Sequence, residues 1–294
     1  MGCPFCNSNQ IVDSKLPNNF FNDKTFDFFT CANCSLVYIN PIPNADDLEK
    51  MYPPSYQGAI SLDKMDIRKK LPGLRFTYKE QLDIINEKTN DRILDYGCGT
   101  GHFIYNALQE GTTVDGVEFS SIVIEQLRNK MPKNKFYTIN EFNAISHKYK
   151  IIRLSNVLEH FTSPVEEFRK LLEKLEVGGL VIVEGPLEMN ISLVNFFKWN
   201  YLKVRKMINS SYYTNHHPTH IFFSNKKNQL NFFKKFELKT LEYYAKENTW
   251  PYPEKIKDAK TVGLLFKYMI GKLSIFLSLI IPNYGNTFLY VGKK

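Results

Sequence analysis

The chain has 294 residues, of which 43% are hydrophobic and 23% charged. That balance excludes a disordered or fibrous chain and provides core for roughly two domains. The net charge of +8 admits an anionic partner, but its densest groups, Arg68-Lys69-Lys70 and Lys226-Lys227, are too short for a dedicated nucleic-acid tract.

The N-terminus, Met1-Gly2-Cys3-Pro4, lacks the apolar stretch of a secretory signal, and Cys6 stands where N-myristoylation wants Ser or Thr. A cytoplasmic location is therefore expected, and there paired cysteines point to metal rather than disulfides. Four of the five cysteines form two such pairs, Cys3-Pro-Phe-Cys6 and Cys31-Ala-Asn-Cys34. Four thiolates so spaced can close a tetrahedral structural zinc site, and the metal would supply folding free energy that so short a segment lacks. Residues 1–41 are expected to form this zinc-binding ribbon, ended by Pro41-Ile42-Pro43. Residues 42–89 read as a linker and helical lid. A short helix over 45–51 precedes the turn Tyr52-Pro-Pro-Ser-Tyr56, and Leu74, Tyr78, Leu82 and Ile85 recur at helical spacing within 62–88.

Ile93-Leu-Asp-Tyr96 predicts a strand that ends in Gly97-Cys-Gly99-Thr-Gly101 and opens a helix. Further strands are predicted over 113–117, 136–139, 151–154 and 180–183. Helices alternate with them, one capped by Ser120 or Ser121, another running from Ser163-Pro164 to Gly178-Gly179. Such alternation predicts an α/β, Rossmann-like, doubly wound and mostly parallel sheet over residues 90–294. Residues 245–284 read as a helical insertion, within which 262–281 is rich in Leu, Ile and Phe but broken by Lys267, Lys272, Gly263 and Gly271. Burial against the sheet or in an oligomer is weighed there against contact with a membrane surface. Residues 286–291 predict a last strand, antiparallel beside 236–241.

The glycine-rich turn carries the main chemical signal. Glycine lets the backbone turn tightly and approach a ligand, which then meets the amides at the helix start. About twenty residues on, the second strand ends at Glu118, where a carboxylate can accept from both hydroxyls of a ribose. A nucleoside-type cofactor is therefore expected over the ends of the first two strands. The nicotinamide fingerprint Gly-x-Gly-x-x-Gly is not met, and Asp95 ahead of the turn suits the ammonium of a methionine moiety better than a pyrophosphate.

The stretch Ile93-Leu-Asp-Tyr-Gly-Cys-Gly-Thr-Gly-His-Phe103 resembles the first motif of class I S-adenosylmethionine-dependent methyltransferases. Gly116-Val-Glu-Phe-Ser120, Asn156-Val-Leu-Glu-His-Phe161 followed by Pro164, and Leu175-Glu-Val-Gly-Gly-Leu-Val-Ile-Val-Glu184 resemble later motifs, in order. A departure is Lys150, where the family usually carries an acid. The resemblance implies a seven-stranded sheet and S-adenosylmethionine as cofactor. Asp95, Gly97, Gly99 and Gly101 would line its methionine end, Glu118 its ribose, Phe119 and Glu141 its adenine, and Asn156 its reactive end.

Cys31-Ala-Asn-Cys-Ser-Leu-Val-Tyr-Ile-Asn-Pro41, the turn at 52–56 and Pro218-Thr-His-Ile-Phe-Phe-Ser224 further resemble bacterial methyltransferases of deoxysugars and of capsular or other surface-polysaccharide building blocks. The implied substrate is a small-molecule sugar, methylated on oxygen or carbon. A sugar hydroxyl is a poor nucleophile and calls for a general base. His220 is the first candidate and His217 the second. Tyr56, Tyr212, Tyr213 and His216 are candidates for holding the sugar. His160, beside Glu159, reads as a packing residue. A second metal at His216, His217 and His220 is also weighed. The alternatives are an RNA methyltransferase, suggested by the charge and the ribbon, and a non-catalytic binding module on the same scaffold. The oligomeric state leaves no mark in the sequence.

Overall fold

The computed structural model describes residues 2–53, 76–88 and 92–294, with backbone alone at 86–88. Tyr56, Leu74 and the structure expected between 54 and 75 lie outside the described residues. The N-terminal strands are β1 (Ile11–Asp13), β2 (Asn18–Phe21), β3 (Lys24–Cys31) and β4 (Val37–Asn40). β3 pairs antiparallel with the other three. Asn22 and Asp23, both at positive φ, make the two-residue turn between β2 and β3, as a hairpin of that length requires. α1 (Ala45–Met51) follows, closed by a reciprocal capping box between Asn44 and Asp47.

After α2 (Tyr78–Lys88) come β5 (Ile93–Tyr96), α3 (His102–Gln109), β6 (Val114–Glu118), α4 (Ser121–Lys130), β7 (Phe136–Thr138) and α5 (Ile139–Ala144). Next are β8 (Tyr149–Ser155), α6 (Pro164–Glu173) and β9 (Leu175–Pro186). Ser120 caps α4, and Pro164 occupies the first turn of α6. The expected helix stop at Gly178-Gly179 is corrected: α6 ends at Glu173, and the glycines lie inside β9. A Cβ on Gly179 would come within 2.9 Å of the Lys150 carbonyl, so glycine serves a close strand approach there. The chain closes with α7 (Leu193–Ile208), β10 (Tyr213–Thr214), β11 (Phe222–Phe223), α8 (Lys226–Lys234), β12 (Lys239–Lys246), α9 (Val262–Ile280) and β13 (Thr287–Lys293).

The main sheet has seven strands in the order β12-β13-β9-β8-β5-β6-β7. β9, β8, β5, β6 and β7 run parallel; β13 is antiparallel to both its neighbours, so β12 at the edge runs in the same sense as the other five. This is a Rossmann-like α/β fold. The N-terminal sheet takes two strands from the later chain: β10 pairs with β2 and β11 with β4. The ribbon, read from sequence as its own unit, therefore shares a core with the main sheet. One apolar cluster includes Phe5, Phe26 and Tyr38 together with Leu154, Phe232 and Tyr290. The Phe5 ring lies 4.6 Å from Phe222 and 4.5 Å from Phe232, centroid to centroid.

A charged pair is buried within this sheet. Arg153 of β8 sits opposite Asp95 of β5 and donates to its carboxylate, the side chains being only 4% and 1% exposed. The Phe103 ring covers the guanidinium at 3.9 Å. Gln81 of α2 accepts from Arg153 Nε and donates to Glu184 at 3.2 Å. Glu184, in β9, also accepts from the Ser155 hydroxyl at 2.6 Å and the Phe76 amide at 2.9 Å. α2 is thereby tied to three neighbouring strands. Removing one partner of a buried ion pair strands the other in a low-dielectric interior, at a cost of about 3–5 kcal/mol. Arg153→Met is expected to lose about that much unfolding free energy in a urea titration; a loss under about 1 kcal/mol would contradict this account.

Candidate active site

A cavity of about 720 Å³ is lined by residues at the carboxyl ends of β5, β6 and β8, where open parallel sheets bind their ligands. Its walls include Gly97, Gly99, Glu118, Phe119, Asn140 and Asn156, with Leu48, Tyr52 and Pro53 contributed from α1 and just beyond it. The three glycines of the turn all have positive φ, but they serve different ends. A Cβ on Gly97 would meet Val157 at 2.3 Å, and one on Gly101 would meet Leu127 at 2.6 Å. At Gly99 nothing lies within 4 Å, so a side chain there would take space beside the cavity wall.

The amides of this turn are largely spent within the protein. Those of Gly97 and Cys98 donate to the Val117 carbonyl at 2.8 and 2.9 Å, and that of Gly101 to Cys98 at 3.0 Å. Gly99 N–H donates to Glu118 Oε2 at 2.9 Å, while Glu118 Oε1 accepts from the Phe119 amide at 2.8 Å. The expectation that these amides clasp the ligand is thus corrected for Gly97, Cys98 and Gly101, and the Gly99 amide holds the Glu118 carboxylate, which lines the cavity.

Asp95 also differs from expectation. Its carboxylate faces Arg153, and it is absent from the cavity wall, as is Gly101. Glu141 is drawn away by its role in the α5 capping box with Thr138 and its 2.7 Å pairing with Arg128; Asn140 lines the cavity instead. Asn156 holds a left-handed conformation, φ 53°, with its amide donating to the Glu184 carbonyl at 2.9 Å. Asparagine tolerates that conformation better than other side chains, and here it turns the chain out of β8 at the cavity wall.

A second cavity, about 760 Å³, is lined by residues of the N-terminal sheet, α7 and α9. Asn19, Phe28, Trp199, His216, His217 and His220 are among its walls. His217 packs on Phe21, ring centroids 4.6 Å apart, and does not line the first cavity. Tyr212 and Tyr213 line neither: Arg205 covers the Tyr212 ring at 4.7 Å, and Tyr213 of β10 meets Phe20 edge-on at 5.9 Å.

Two histidines stand where the cavities meet. His160 lines the first, His220 the second, and their ring centroids are 5.1 Å apart. His160 Nδ1 lies 2.7 Å from the Thr219 carbonyl and 2.9 Å from the Tyr52 hydroxyl. A carbonyl only accepts, so Nδ1 carries the proton. Burial, with His220 nearby, pushes the His160 ring down to about 3, so it is neutral in ordinary buffers. His220 Nδ1 is 2.9 Å from Glu188 Oε2, and Lys198 is 3.1 Å from the other carboxylate oxygen. Burial alone would raise the Glu188 carboxyl, but Lys198 and His220 outweigh it and hold the group below the usual carboxylate range. Glu188 is therefore an anion that fixes the His220 ring with a proton on Nδ1, the nitrogen facing the carboxylate.

Sequence reasoning missed Glu188, Tyr52 and the position of His160. The signal for His160 was its place just past β8, at the carboxyl edge of the sheet. Glu188 lies two residues past β9 on the same edge, but its pairing across to His220 has no local mark. Among the described residues, the metal-ligating groups brought within 4.8 Å of one another are not His216, His217 and His220 but Glu159, His160 and His220, and separately the four cysteines.

The cysteine knuckles repeat one geometry. Asn7 N–H donates to the Cys3 carbonyl and Ser35 N–H to the Cys31 carbonyl, each at 2.8 Å, and Asn7 and Ser35 both have φ near 60°. Cys3 and Cys34 sulfurs are 3.6 Å apart, those of Cys6 and Cys31 3.5 Å. These separations are far too long for disulfides and close to the roughly 3.8 Å edge of a tetrahedron with 2.3 Å metal–sulfur bonds. Asn33 Nδ2 adds a 3.6 Å contact to Cys6 Sγ.

The chain belongs to the family described as "Methyltransferase domain", whose model matches residues 72–243. It is an S-adenosylmethionine-dependent methyltransferase, which sets aside the non-catalytic reading. No curated protein matches it. Solved structures show weak likeness. A chain in the complex of the Haloferax volcanii Trm112 methyltransferase activator with a methyltransferase is 12% identical, over 70% of this chain and 83% of that one, with a TM-score of 0.47. CalS10, an amino pentose methyltransferase of Micromonospora echinaspora, is 16% identical over 39% of this chain and 53% of its own, TM-score 0.33. Coclaurine N-methyltransferase is 14% identical over 86% and 82%, TM-score 0.43. None of these likenesses bears on substrate.

The first cavity fits the cofactor by its volume and by the opening at Gly99, with the Glu118 carboxylate on its wall. Glu118→Ala is expected to weaken S-adenosylmethionine binding at least tenfold by calorimetry, and Gly99→Val more. Unchanged affinity in both would place the cofactor elsewhere.

Proposed function

We propose that this enzyme methylates a hydroxyl of a sugar, with the Glu188–His220 pair as general base. One observation carries the reading: a carboxylate-oriented histidine stands where two cavities meet, one suited to a nucleoside and the other to an acceptor. When bound, S-adenosylmethionine supplies an electrophilic methyl group on a sulfonium. Glu118 would hold its ribose, Phe119 and Asn140 its adenine side, and Asn156 its reactive end. In the second cavity, Trp199, Phe28 and Phe223 offer ring faces, and Asn19, Thr214 and His216 offer hydrogen bonds. That mixture suits a pyranose, apolar on one face and polar at its rim.

His220 Nε2 takes the hydroxyl proton, and the anionic Glu188 stabilises the imidazolium that forms. His160 is too weakly basic for that role; it positions Tyr52 and closes the junction between the cavities. The sequence likeness to deoxysugar and surface-polysaccharide methyltransferases supports the same substrate class. Incubation with methyl-labelled cofactor and a panel of nucleotide sugars tests it, the modified sugar being identified by its added mass. His220→Ala is expected to lower kcat by about 10²–10⁴-fold with cofactor affinity unchanged. A variant as fast as the wild type would move the base elsewhere.

We further propose that Cys3, Cys6, Cys31 and Cys34 hold one structural zinc ion. The closed set of four thiols and the matched knuckles support this. Elemental analysis is expected to find about one zinc per chain, and Cys31→Ser to lose the metal together with thermal stability. A metal-free wild type, equally stable with and without added zinc, would refute it.

A further inference from the structure

α9 is built unlike a core helix. Its mean hydropathy reaches 1.6 over an 18-residue window, yet only 17% of that window is buried in the protein. Leu265, Phe266, Met269, Leu273, Phe276 and Ile280 are all exposed and recur at helical spacing, so they form one apolar stripe. Ile270, Gly271 and Ser274, on another face, are buried. The Leu193 amide at the start of α7 donates to Ser274 Oγ at 3.2 Å, and Phe197 meets Phe266 edge-on at 6.0 Å. Position 193 thus lies by 274 and position 197 by 266, so the two helices run in opposite senses. α7 adds Phe196, Met207 and Ile208 to the exposed apolar surface, the last two being 83% and 80% exposed.

Length alone would let α9 cross a bilayer. The topology forbids it. α9 leaves from β12 and returns to β13, and those two strands are antiparallel neighbours, with Lys246 opposite Thr287. Both ends of the insertion therefore start from one point on the sheet. Positive charge accompanies the two helices: α7 carries Lys198, Lys203, Arg205 and Lys206 and α9 carries Lys267 and Lys272, with no acidic residue in either, while the segment before α9 adds Lys255, Lys257 and Lys260 against Glu254 and Asp258. A second copy seated face to face would bring these cations together; an anionic surface would neutralise them.

We propose that the α7–α9 face docks on an anionic lipid bilayer, lying in the interface rather than spanning it. The second cavity gives this a functional consequence that rests on the sugar reading. Phe197, Tyr201, Leu202, Gly263, Phe266 and Ile270 line the cavity that also contains His220. Phe266 belongs both to that wall and to the exposed stripe. An acceptor with its sugar at His220 and an acyl or isoprenoid tail leaving past Phe266 would enter directly from the membrane. The natural acceptor is then a lipid-linked sugar.

Sedimentation of the full chain with vesicles tests the docking. One set contains phosphatidylglycerol and phosphatidylcholine, the other phosphatidylcholine alone. The wild type is expected to pellet with the anionic vesicles at least tenfold more strongly than with the neutral ones, and less so as salt rises. The triple variant Met269→Glu, Leu273→Glu, Phe276→Glu should bind at least tenfold more weakly, with unchanged circular dichroism and cofactor affinity. A wild type left in the supernatant with both vesicle types overturns the proposal. So does a wild-type dimer that the triple variant splits, since a second copy then covers the face. Comparing methyl transfer to a lipid-linked and a free sugar separates the two claims. Vesicle binding without transfer to either refutes the sugar reading and leaves the docking intact. Equal transfer to both refutes only the lipid-linked acceptor.

Discussion

A guanidinium held between two parallel strands must be matched by charge and by acceptors, because the surrounding interior cannot solvate it. Arg153 is matched by Asp95 across the strands and by Gln81 from α2. Gln81 in turn reaches Glu184, so three strands and a helix are registered by one polar network. That registration matters because Gly97, Asn156 and the chain leading to Glu188 emerge from those same three strands. If β5, β8 and β9 slipped relative to one another, the cofactor cavity and the base would no longer face a common junction.

Glu188 extends the same logic to the acceptor side. Its carboxylate takes Lys198 and His220, and its backbone carbonyl accepts the Trp199 indole N–H at 2.6 Å. One residue thus sets the tautomer of the proposed base and anchors the helix that walls the second cavity. Around it the chemistry is asymmetric. His160 is kept neutral by burial, while His220 sits against an anion, so two adjacent imidazoles are prepared for different work.

Local chemistry was legible in the sequence. The positive-φ glycines, the Ser120 cap, Pro164 at a helix start and the acid ending β6 each announce themselves within a few residues, and they carry the α/β reading. Where a side chain had a choice of partners, local reading failed. Asp95 looked like a ligand for an ammonium, but Arg153 lies closer in space than any pattern in the chain could show. Glu141 was claimed by a capping box that is visible in Thr138-x-x-Glu141, a signal that could have pointed to Asn140 instead. His220 was ranked ahead of His217 by its place in a motif, and the pairing with Glu188 that distinguishes it in space has no local mark. The cysteine knuckles sit between these cases, since their spacing picks out the four cysteines that come together but says nothing of the two strands that the later chain adds.

Those two added strands bear on how the polypeptide assembles. β4 is completed by β11, so Val37 and Tyr38 wait for Phe223 and Phe222, which are synthesised far later. Contacts so distant along the chain close slowly, since their loop entropy is spent before any pairing is gained. The segment of β1–β4, made before its partners, would then be among the last to reach its final packing, exposing aromatic surface such as Phe5 and Phe28 in the interval. A metal clasped early by the knuckles would hold that segment in a compact form until the rest of the sheet arrives.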